Sequence, residues 1–567
     1  GCGPRATDPA QPDPEQGQFP PVTYQARTLD ISRAAPQAVV PAPKRAIRQA
    51  RLVFAVLTMA LTLLSALTMA AHVTEWTGWA ALAMAISLPG FLWIAGGAAT
   101  AVTGLVCPAP GRSAAPPGWT PASQTAILTL LCREDPWAVA ARLIELSRQL
   151  AKAGLGPHTR LIVLSDTRGR DAVNAEEAAL MPLCDQGLIS YRRRDVNTGR
   201  KPGNIAEWFN REGESYGQML ILDADSRMSG ARIARMIRHM ESRPKLGLLQ
   251  AGMALAPAQS RFGQVQRNAS RLLGPPFAAG LAAWAGDTAN YWGHNALIRT
   301  AAFEKAAQLP RLSGPAPFGG DILSHDFIEA AVIRRAGWTV EFDPDPAGSA
   351  EDGPQDLAEF HKRNRRWCQG NLQHIRLIGW PGLHPLSRLH IASGIFSFLA
   401  APFWLALVVL MGTGLVGMDG ALPFLLILGI LLLPKVCGLL RLTGRRSTPW
   451  RRRVSIRVFA SEAILSSLLA PIVMLHHTAA VLSVLSGQDC GWKGPERQRL
   501  RLPQGVFEAA AGLGLAGLVF ALNPAAAIWI TPVAGPMIAA PLIIRWMNAP
   551  ITETPYAPRV TCAATGR

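Results

Sequence analysis

Seven long apolar runs, gathered in two blocks, constrain this chain more than any other feature of it. The first block holds residues 52–73 and 80–106. The second holds 391–416, 421–440, 459–485, 506–522 and 525–544. A helix crosses about 30 Å of hydrocarbon with roughly 20 apolar residues, and most of these runs reach that length. Buried core helices of a soluble protein are the competing explanation, and seven such runs in one chain weigh against it. The expected architecture is therefore a polytopic membrane protein with a large polar insert between two helical blocks.

Charge supports the same reading. The chain carries a net charge of +18, a balance that would otherwise suggest a nucleic-acid partner. Its basic residues, however, cluster beside the apolar runs. Lys44, Arg45, Arg48 and Arg51 precede the first. Arg441, Arg445, Arg446, Arg451, Arg452, Arg453 and Arg457 separate two later ones, and Lys493, Arg497, Arg499 and Arg501 fill another connection. The short connectors around Glu75 and Asp419 hold no Lys or Arg. This is the positive-inside pattern, so the excess charge reads as topology and no nucleic-acid partner is expected. The run 459–485 is basic on both flanks, which one crossing cannot satisfy. It is expected to combine one span with a re-entrant or interfacial segment, a tight hairpin being the alternative, for six clear spans and eight at most.

The expected domain limits follow. Residues 1–43, rich in Pro and Ala, form a disordered tail; 44–108 carry two membrane helices; 121–370 form an α/β domain; 371–390 are an amphipathic interfacial helix region; 391–546 form the second membrane block; and 547–567 are a tail. The eight cysteines show no C-x-x-C and no regular spacing, which excludes a disulfide framework and suits a reducing compartment.

Within 121–370, short apolar runs alternate with helical patterns. Strands are predicted at 126–131, 161–164, 188–191, 219–222 and 246–250. Val139, Leu143, Leu146 and Leu150 share one face of a helix that Gly154 stops. Continuous apolar strands alternating with helices predict a mostly parallel sheet covered on both faces, with ligands bound beyond the carboxyl ends of the strands. Acids gather there. The first strand leads into Arg133-Glu134-Asp135, the second into Ser165-Asp166, and the fourth into Asp223-Ala224-Asp225. Each alone reads as a turn or cap; three strands of one sheet together read as a site. Residues i and i+2 of an extended chain project to one side, so Asp223 and Asp225 can share a cation. Neither a G-x-G-x-x-G nor a P-loop follows the first strand. Mg²⁺ or Mn²⁺ held by carboxylates and diphosphate oxygens remains open.

Further motifs follow in order: "GRKPGNIAEWFN" over 199–210, "YWGHNALIRTAAF" over 291–303, "LSHDFIEAAVIRRAGW" over 323–338 and "HKRNRRWCQGN" over 361–371. This ordered set resembles the processive family-2 glycosyltransferases with a GT-A domain. Within them it is most similar to the OpgH (MdoH) glucosyltransferases that make osmoregulated periplasmic glucans. The similarity runs from about residue 121 to 548. It implies an α/β GT-A domain between transmembrane helices, in the bacterial inner membrane with the catalytic domain and termini cytoplasmic. By resemblance, Glu134, Asp135, Asp166, Lys201, Asn204, Asp223, His294, Asn295, Arg363 and Arg366 bind the nucleotide donor. Asp223 and Asp225 hold the divalent metal, Asp326 is the catalytic base, and Trp367 meets the acceptor. Gly293 lies in the segment lining the donor pocket. The chain departs from the family where Arg133 precedes the first acids.

The implied reaction moves glucose from UDP-glucose to a growing linear β-glucan, with inversion and with export of the product. The resemblance gives β-1,2 linkage, a periplasmic glucan-processing partner and an acyl carrier protein; no residue pattern fixes them. Chemically, a carboxylate suits proton removal from the acceptor hydroxyl, and guanidinium groups suit a diphosphate. Asp326 could equally cap its helix, the basic run 361–366 could be a juxtamembrane patch, and Trp367 could be an interfacial anchor. The rivals for the whole chain are another polysaccharide synthase of cellulose, chitin or hyaluronan type, and a non-catalytic transporter or scaffold.

Overall fold

The computed structural model describes residues 44–107, 118–304, 309–444, 448–490 and 503–551. The N-terminal tail, residues beyond 551, and Arg445, Arg446, Lys493, Arg497, Arg499 and Arg501 lie outside these. In chain order the helices are α1 (Arg45–His72), α2 (Gly78–Val106), α3 (Pro136–Lys152), α4 (Arg170–Asp185), α5 (Arg200–Glu212), α6 (Gly230–Glu241), α7 (Arg261–Ala285), α8 (Thr300–Glu304), α9 (His325–Arg335), α10 (Leu357–Gln373), α11 (Pro385–Gly412), α12 (Leu422–Leu442), α13 (Pro449–Leu485), α14 (Val506–Leu522), α15 (Ala527–Ile538) and α16 (Ala540–Met547). The strands are β1 (Thr125–Leu131), β2 (Thr159–Ser165), β3 (Ser190–Arg193), β4 (Gln218–Asp223), β5 (Arg227–Met228), β6 (Leu246–Ala251), β7 (Ala254–Leu255), β8 (Ala296–Arg299), β9 (Thr339–Asp343) and β10 (Ser349–Glu351).

Seven strands form one sheet in the order β3-β2-β1-β4-β8-β6-β9, and β5-β10-β7 form a small second sheet. In the main sheet only β8 runs antiparallel to its neighbours β4 and β6. Alternate residues of each strand face opposite layers. Ile127 and Leu131 of β1 pack with Val139, Leu143, Leu146 and Leu150 of α3 and with α4 and α6. Ala126 and Leu128 pack toward α5, α7 and α9, in a core that continues into Ile391, Ile395 and Phe398 of α11. The sheet is thus covered on both faces, and one cover is shared with the membrane block. β3 starts two residues later than its apolar pattern predicts, because Leu188 and Ile189 fall outside the ladder and the polar run from Ser190 pairs with β2.

Helix α7 is the platform on which the apolar helices stand. Phe54 of α1 stacks on Trp284, with ring centroids 4.4 Å apart. A Cβ on Gly280 would lie 1.8 Å from Thr100 O of α2, and one on Gly438 of α12 would lie 2.0 Å from Leu272 O. These backbones therefore touch only because glycine stands there. At the far ends, Thr74 N donates to Gly417 O at 3.0 Å and Asp419 N to His72 O at 2.7 Å, and Gly414 approaches Asn523.

Among the described residues, five helices are long and apolar enough to cross a membrane, α13 among them, and the pair from Pro524 to Met547 passes the same test with a 51° bend. The contacts of α13 reach the α/β domain as well. Near its start, Lys435 Nζ of α12 donates to Glu462 at 2.5 Å and Ser466 at 2.8 Å. In its middle, Leu469 and Ile472 pack with Phe262 and Leu357 of the α/β domain. At its end, Arg365 donates to Ser483 at 3.2 Å, and just beyond it Gln369 donates to Asp489 at 2.8 Å. The helix is continuous over 37 residues, with the α/β domain against its middle and its end. Because α13 is one continuous helix, the expected re-entrant break or hairpin is corrected, while by length and composition the helix itself remains a candidate span. With α1, α2, α11 and α12 it makes five, the bent α15–α16 pair makes a sixth, and α14 is a shorter apolar helix. The separate interfacial helix expected over 371–390 is also absent. That stretch is the end of α10, a 3-10 turn at His374–Arg376 and the start of α11, with Leu372, His374 and Leu377 buried.

Candidate active site

The carboxyl ends of β1, β2 and β4 open on one side of the sheet, facing α5, α9 and α10. At the end of β4, Asp223 closes the strand and Asp225 follows in the turn. Lys201, in the first turn of α5, forms an ion pair with Asp223 Oδ1. Burial raises the proton affinity of Asp223, but Lys201 and His294 outweigh it and the carboxyl sits below its usual range. Asp225 is held above its usual range, by burial first and then by Asp223, with His294 opposing. Two carboxylates that resist ionising together are a fitting seat for a cation. Among the described residues no group of three or more His, Cys, Asp or Glu could hold a metal alone. A cation seated on the Asp223–Asp225 pair would therefore have to complete its shell with donor oxygens and water, as Mg²⁺ commonly does.

The K-x-G-N segment is built around a buried ion pair that its own pattern does not reveal. Arg194, just past β3, donates to Asp166 through Nε at 2.5 Å and Nη2 at 3.0 Å. Asn204 Nδ2 donates to Asp166 Oδ1 at 3.0 Å. Arg194 also donates to Thr198 O at 2.9 Å and Arg200 O at 2.6 Å, which fixes the turn before Lys201. A Cβ on Gly203 would lie 2.0 Å from Thr198 O, so that turn requires glycine. Asp166 and Asn204 are both buried and bonded to each other, Asp166 also to Arg194 and Asn204 to Arg192, whose Nη2 donates to Asn204 O at 2.9 Å. Their role in this structure is to hold the wall that carries Lys201.

The first-strand acids also engage locally. Arg133 adopts a left-handed backbone, φ 70°, and its N–H donates to Thr167 Oγ1 at 3.0 Å. Glu134 folds back to accept from Cys132 N–H. Asp135 caps α3, accepting from Trp137 N–H at 3.0 Å. Asp326 is not a cap. Ser324 occupies that position, and Asp326 lies in the first turn of α9. Burial raises the Asp326 carboxyl, with His325 opposing.

Opposite, the loop 291–295 lines the cleft. A Cβ on Gly293 would stand 3.7 Å from Asp326 Oδ2. His294 Nε2 lies 3.3 Å from Glu351 Oε2; burial lowers its proton affinity, but Asp223 and Glu351 bring it to about 9. Asn295 is fully buried and donates to Ser349 Oγ at 3.0 Å, so its part is to lock the loop. Gln250 completes that lock, accepting from Trp292 N–H and donating to His294 O, each at 3.0 Å. On α10, the Arg363 guanidinium stacks over the Trp367 ring at 4.6 Å, and Trp367 is 44% exposed. Burial lowers the proton affinity of both Arg363 and Arg366; Glu351, Glu359 and Asp225 oppose this at Arg363. The same helix holds the approach to Asp326. Gln373 Oε1 accepts from Leu323 N–H at 3.0 Å, and His374 Nε2 donates to Ser324 O at 2.8 Å. Arg194, Gln250, Glu351 and Gln373 were not singled out in the sequence. The Glu351 stretch "GSAEDG" holds no periodicity or spacing that would mark it.

A GT-A domain between helical membrane blocks, with strand-end acids facing an Arg-Trp box, defines a membrane glycosyltransferase. A family model described as "Glycosyl transferase family group 2" matches residues 219–439. The chain belongs to the family named glucans biosynthesis glucosyltransferase H. It is 39% identical over 498 residues to the protein of that name from Xanthomonas euvesicatoria pv. vesicatoria (strain 85-10), covering 80% of this chain and 77% of that one. With the Cereibacter sphaeroides protein of the same name it shares 38% over 496 residues, 80% and 82% of the two chains. Among solved structures it is similar to a mannosyltransferase, PcManGT from Pyrobaculum calidifontis in complex with GDP-Man and Mn2+. That likeness is 14% identical, with TM-score 0.42, over 72% of this chain and 99% of the other.

Proposed function

We propose that this chain is an inner-membrane glucosyltransferase that transfers glucose from UDP-glucose to a growing β-glucan, the backbone of osmoregulated periplasmic glucans, with inversion at the anomeric carbon. The observation that carries this reading is the convergence of Asp223 and Asp225, Asp326 beside Gly293, and Arg363 on Trp367 around one cleft. Asp326 takes the proton of the acceptor hydroxyl as its oxygen attacks the anomeric carbon, and UDP leaves from the opposite face. A positioned general base contributes roughly 10²–10⁴ in rate. Lys201, Arg363 and Arg366 bind the donor diphosphate and stabilise the charge that grows on it. Asp223 and Asp225 hold Mg²⁺ or Mn²⁺, which when bound supplies further neutralisation of that diphosphate. Trp367 offers its exposed indole face to the acceptor sugar. Glu134 and Asp135 line the nucleotide end, and Asp166 and Asn204 form its wall. His294 lines the pocket beside the carboxylate pair, and Asn295 fixes that loop. The domain faces the cytoplasm, where UDP-glucose is made, and the finished end passes outward through the adjoining helices toward a periplasmic processing partner. An acyl carrier protein joins from the cytoplasmic side.

Purified protein supplied with a panel of nucleotide sugars and divalent cations should polymerise glucose from UDP-glucose alone, with β-1,2 linkages and with loss of activity in chelator. The D326N variant should lose at least a thousandfold in transfer while binding UDP within about threefold of wild type. Polymer made from another sugar nucleotide would redirect the reading to a cellulose-, chitin- or hyaluronan-type synthase. Full transfer by D326N would remove Asp326 from the base role.

A further inference from the structure

Beside Asp326 in sequence, α9 carries a buried pair for which the proposed reaction has no use. His325 Nδ1 stands 3.2 Å from Glu329 Oε1, one helical turn along α9, within ion-pair reach but outside hydrogen-bond geometry. The two residues are 7% and 2% exposed. Nothing about stability asks for charges here, since the rest of that face is Ile328, Ala331, Val332 and Ile333. A buried ion pair is commonly matched or bettered in stability by apolar residues of similar size. The Tyr291 hydroxyl is buried, with no hydrogen-bond partner, in the field of Glu329, Asp326 and Asp223. The other groups facing this pocket are Lys201 from α5, Asp223 at the end of β4 and His374 from the 3-10 turn after α10, which donates to Ser324 O. The His374 ring is held neutral by burial, down to about 4.

We propose that His325 and Glu329 are a positioning pair for Asp326: Glu329 holds the His325 ring as a buried imidazolium, and that cation keeps the adjacent carboxylate ionised and ready to accept the acceptor proton. This rests on Asp326 being the base. The arrangement resolves a conflict in the site. Burial raises the proton affinity of Asp326, and a protonated base cannot accept a proton. A fixed positive charge at the neighbouring position opposes that rise without exposing the carboxylate to water. Glu329 is then needed because an isolated buried imidazole would itself discharge. Burial does lower the His325 ring, and Glu329 and Asp326 more than reverse it.

The test is a pH profile of polymer synthesis by the full-length enzyme in detergent or vesicles, with UDP affinity measured alongside. In H325Q the cation is gone, the proton affinity of Asp326 rises, and the acidic limb moves up by roughly one pH unit. That is a tenfold loss at any pH on that limb, with recovery toward wild-type rate at the alkaline end. H325K, which returns a cation, should bring the limb back toward its wild-type position. An H325Q profile lowered equally at every pH, or not displaced at all, overturns the proposal. If H325Q does not bind UDP, E329Q is measured instead: its His325 loses the partner that holds its proton and the profile must change shape, so an unchanged profile overturns the proposal. The D326N control separates the two readings. An active D326N sinks the base assignment itself, whereas an inactive D326N with an undisplaced H325Q profile sinks only the positioning pair.

Discussion

Arg194 organises more of the donor wall than any residue its motif names. Its guanidinium faces Asp166 in two hydrogen bonds, reaches Glu207 at 3.7 Å, and ties down the carbonyls of Thr198 and Arg200. Removing one partner of such a pair leaves an uncompensated buried charge, at a cost of about 3–5 kcal/mol. R194M should therefore lower unfolding stability by about that much and weaken UDP binding, because the turn before Lys201 loses its anchor. The double variant D166N/R194M should cost less than the sum of the single changes, since no lone charge remains. Denaturation of the purified variants reads this, and unchanged stability in R194M would refute it. The same residue shows what a sequence can disclose at this scale. Asp166, Asp223 and Asp225 are legible because strand periodicity announces where a strand ends. Arg194, Gln250 and Glu351 are not, because what makes them functional is a partner 28, 44 and 57 residues away, respectively. Only the sheet order brings those partners together. Asp135 shows the converse: an acid at a strand end was visible, but its helix-capping role depends on where α3 begins.

Among the elements, α7 is where the two halves of the molecule are joined, and it does so by backbone contact. The Cβ missing at Gly280 would fall 1.8 Å from Thr100 O, and the one missing at Gly104 would fall 1.8 Å from Pro276 O. No side-chain rotation relieves a clash with a carbonyl. G280A must push α2 from α7, at about 1–3 kcal/mol for overpacking. Gly274, on the same helix, would find only Ser270 Oγ at 4.0 Å. G274A should be neutral, or stabilising by up to about 1 kcal/mol from helix propensity. Thermal unfolding that ranked G274A below G280A would contradict this packing. The α/β pattern was readable element by element, since β1, β2, β4 and β6 and the buried face of α3 follow from apolar periodicity alone. The long α7 was not read, because Pro275 and Pro276 interrupt it and its apolar residues serve two neighbours, the sheet and α2, so no single stripe dominates. The antiparallel β8 was missed for a different reason: four residues carry too little pattern to declare a direction.

For the whole molecule, the decisive question is the side on which α13 begins and ends. Composition makes it a span, with 37 residues and high hydropathy. Its contacts, to α12 at Glu462, to the α/β domain at Leu469 and Ile472, and to α10 at Ser483, argue instead for an in-plane helix, which with α14 as a pass would leave six crossings. Sequence alone could state the parity problem but not solve it, because apolar faces buried against protein and against lipid look the same in one dimension. Single cysteines settle it in a chain whose native cysteines are replaced by serine. W450C and S486C, flanking α13, should react with a membrane-impermeant maleimide in inside-out vesicles and stay protected in right-side-out cells. T413C, at the far end of α11, should show the opposite. If α13 crosses, W450C and S486C must label from opposite faces, and the six-pass arrangement fails. If they label from one face, Asp489 and Cys490, which bond Gln369, stay on the side of the Arg-Trp box. Under the proposed export route, that arrangement would keep a long apolar helix level with the acceptor end of the cleft, where the growing chain would enter the membrane block.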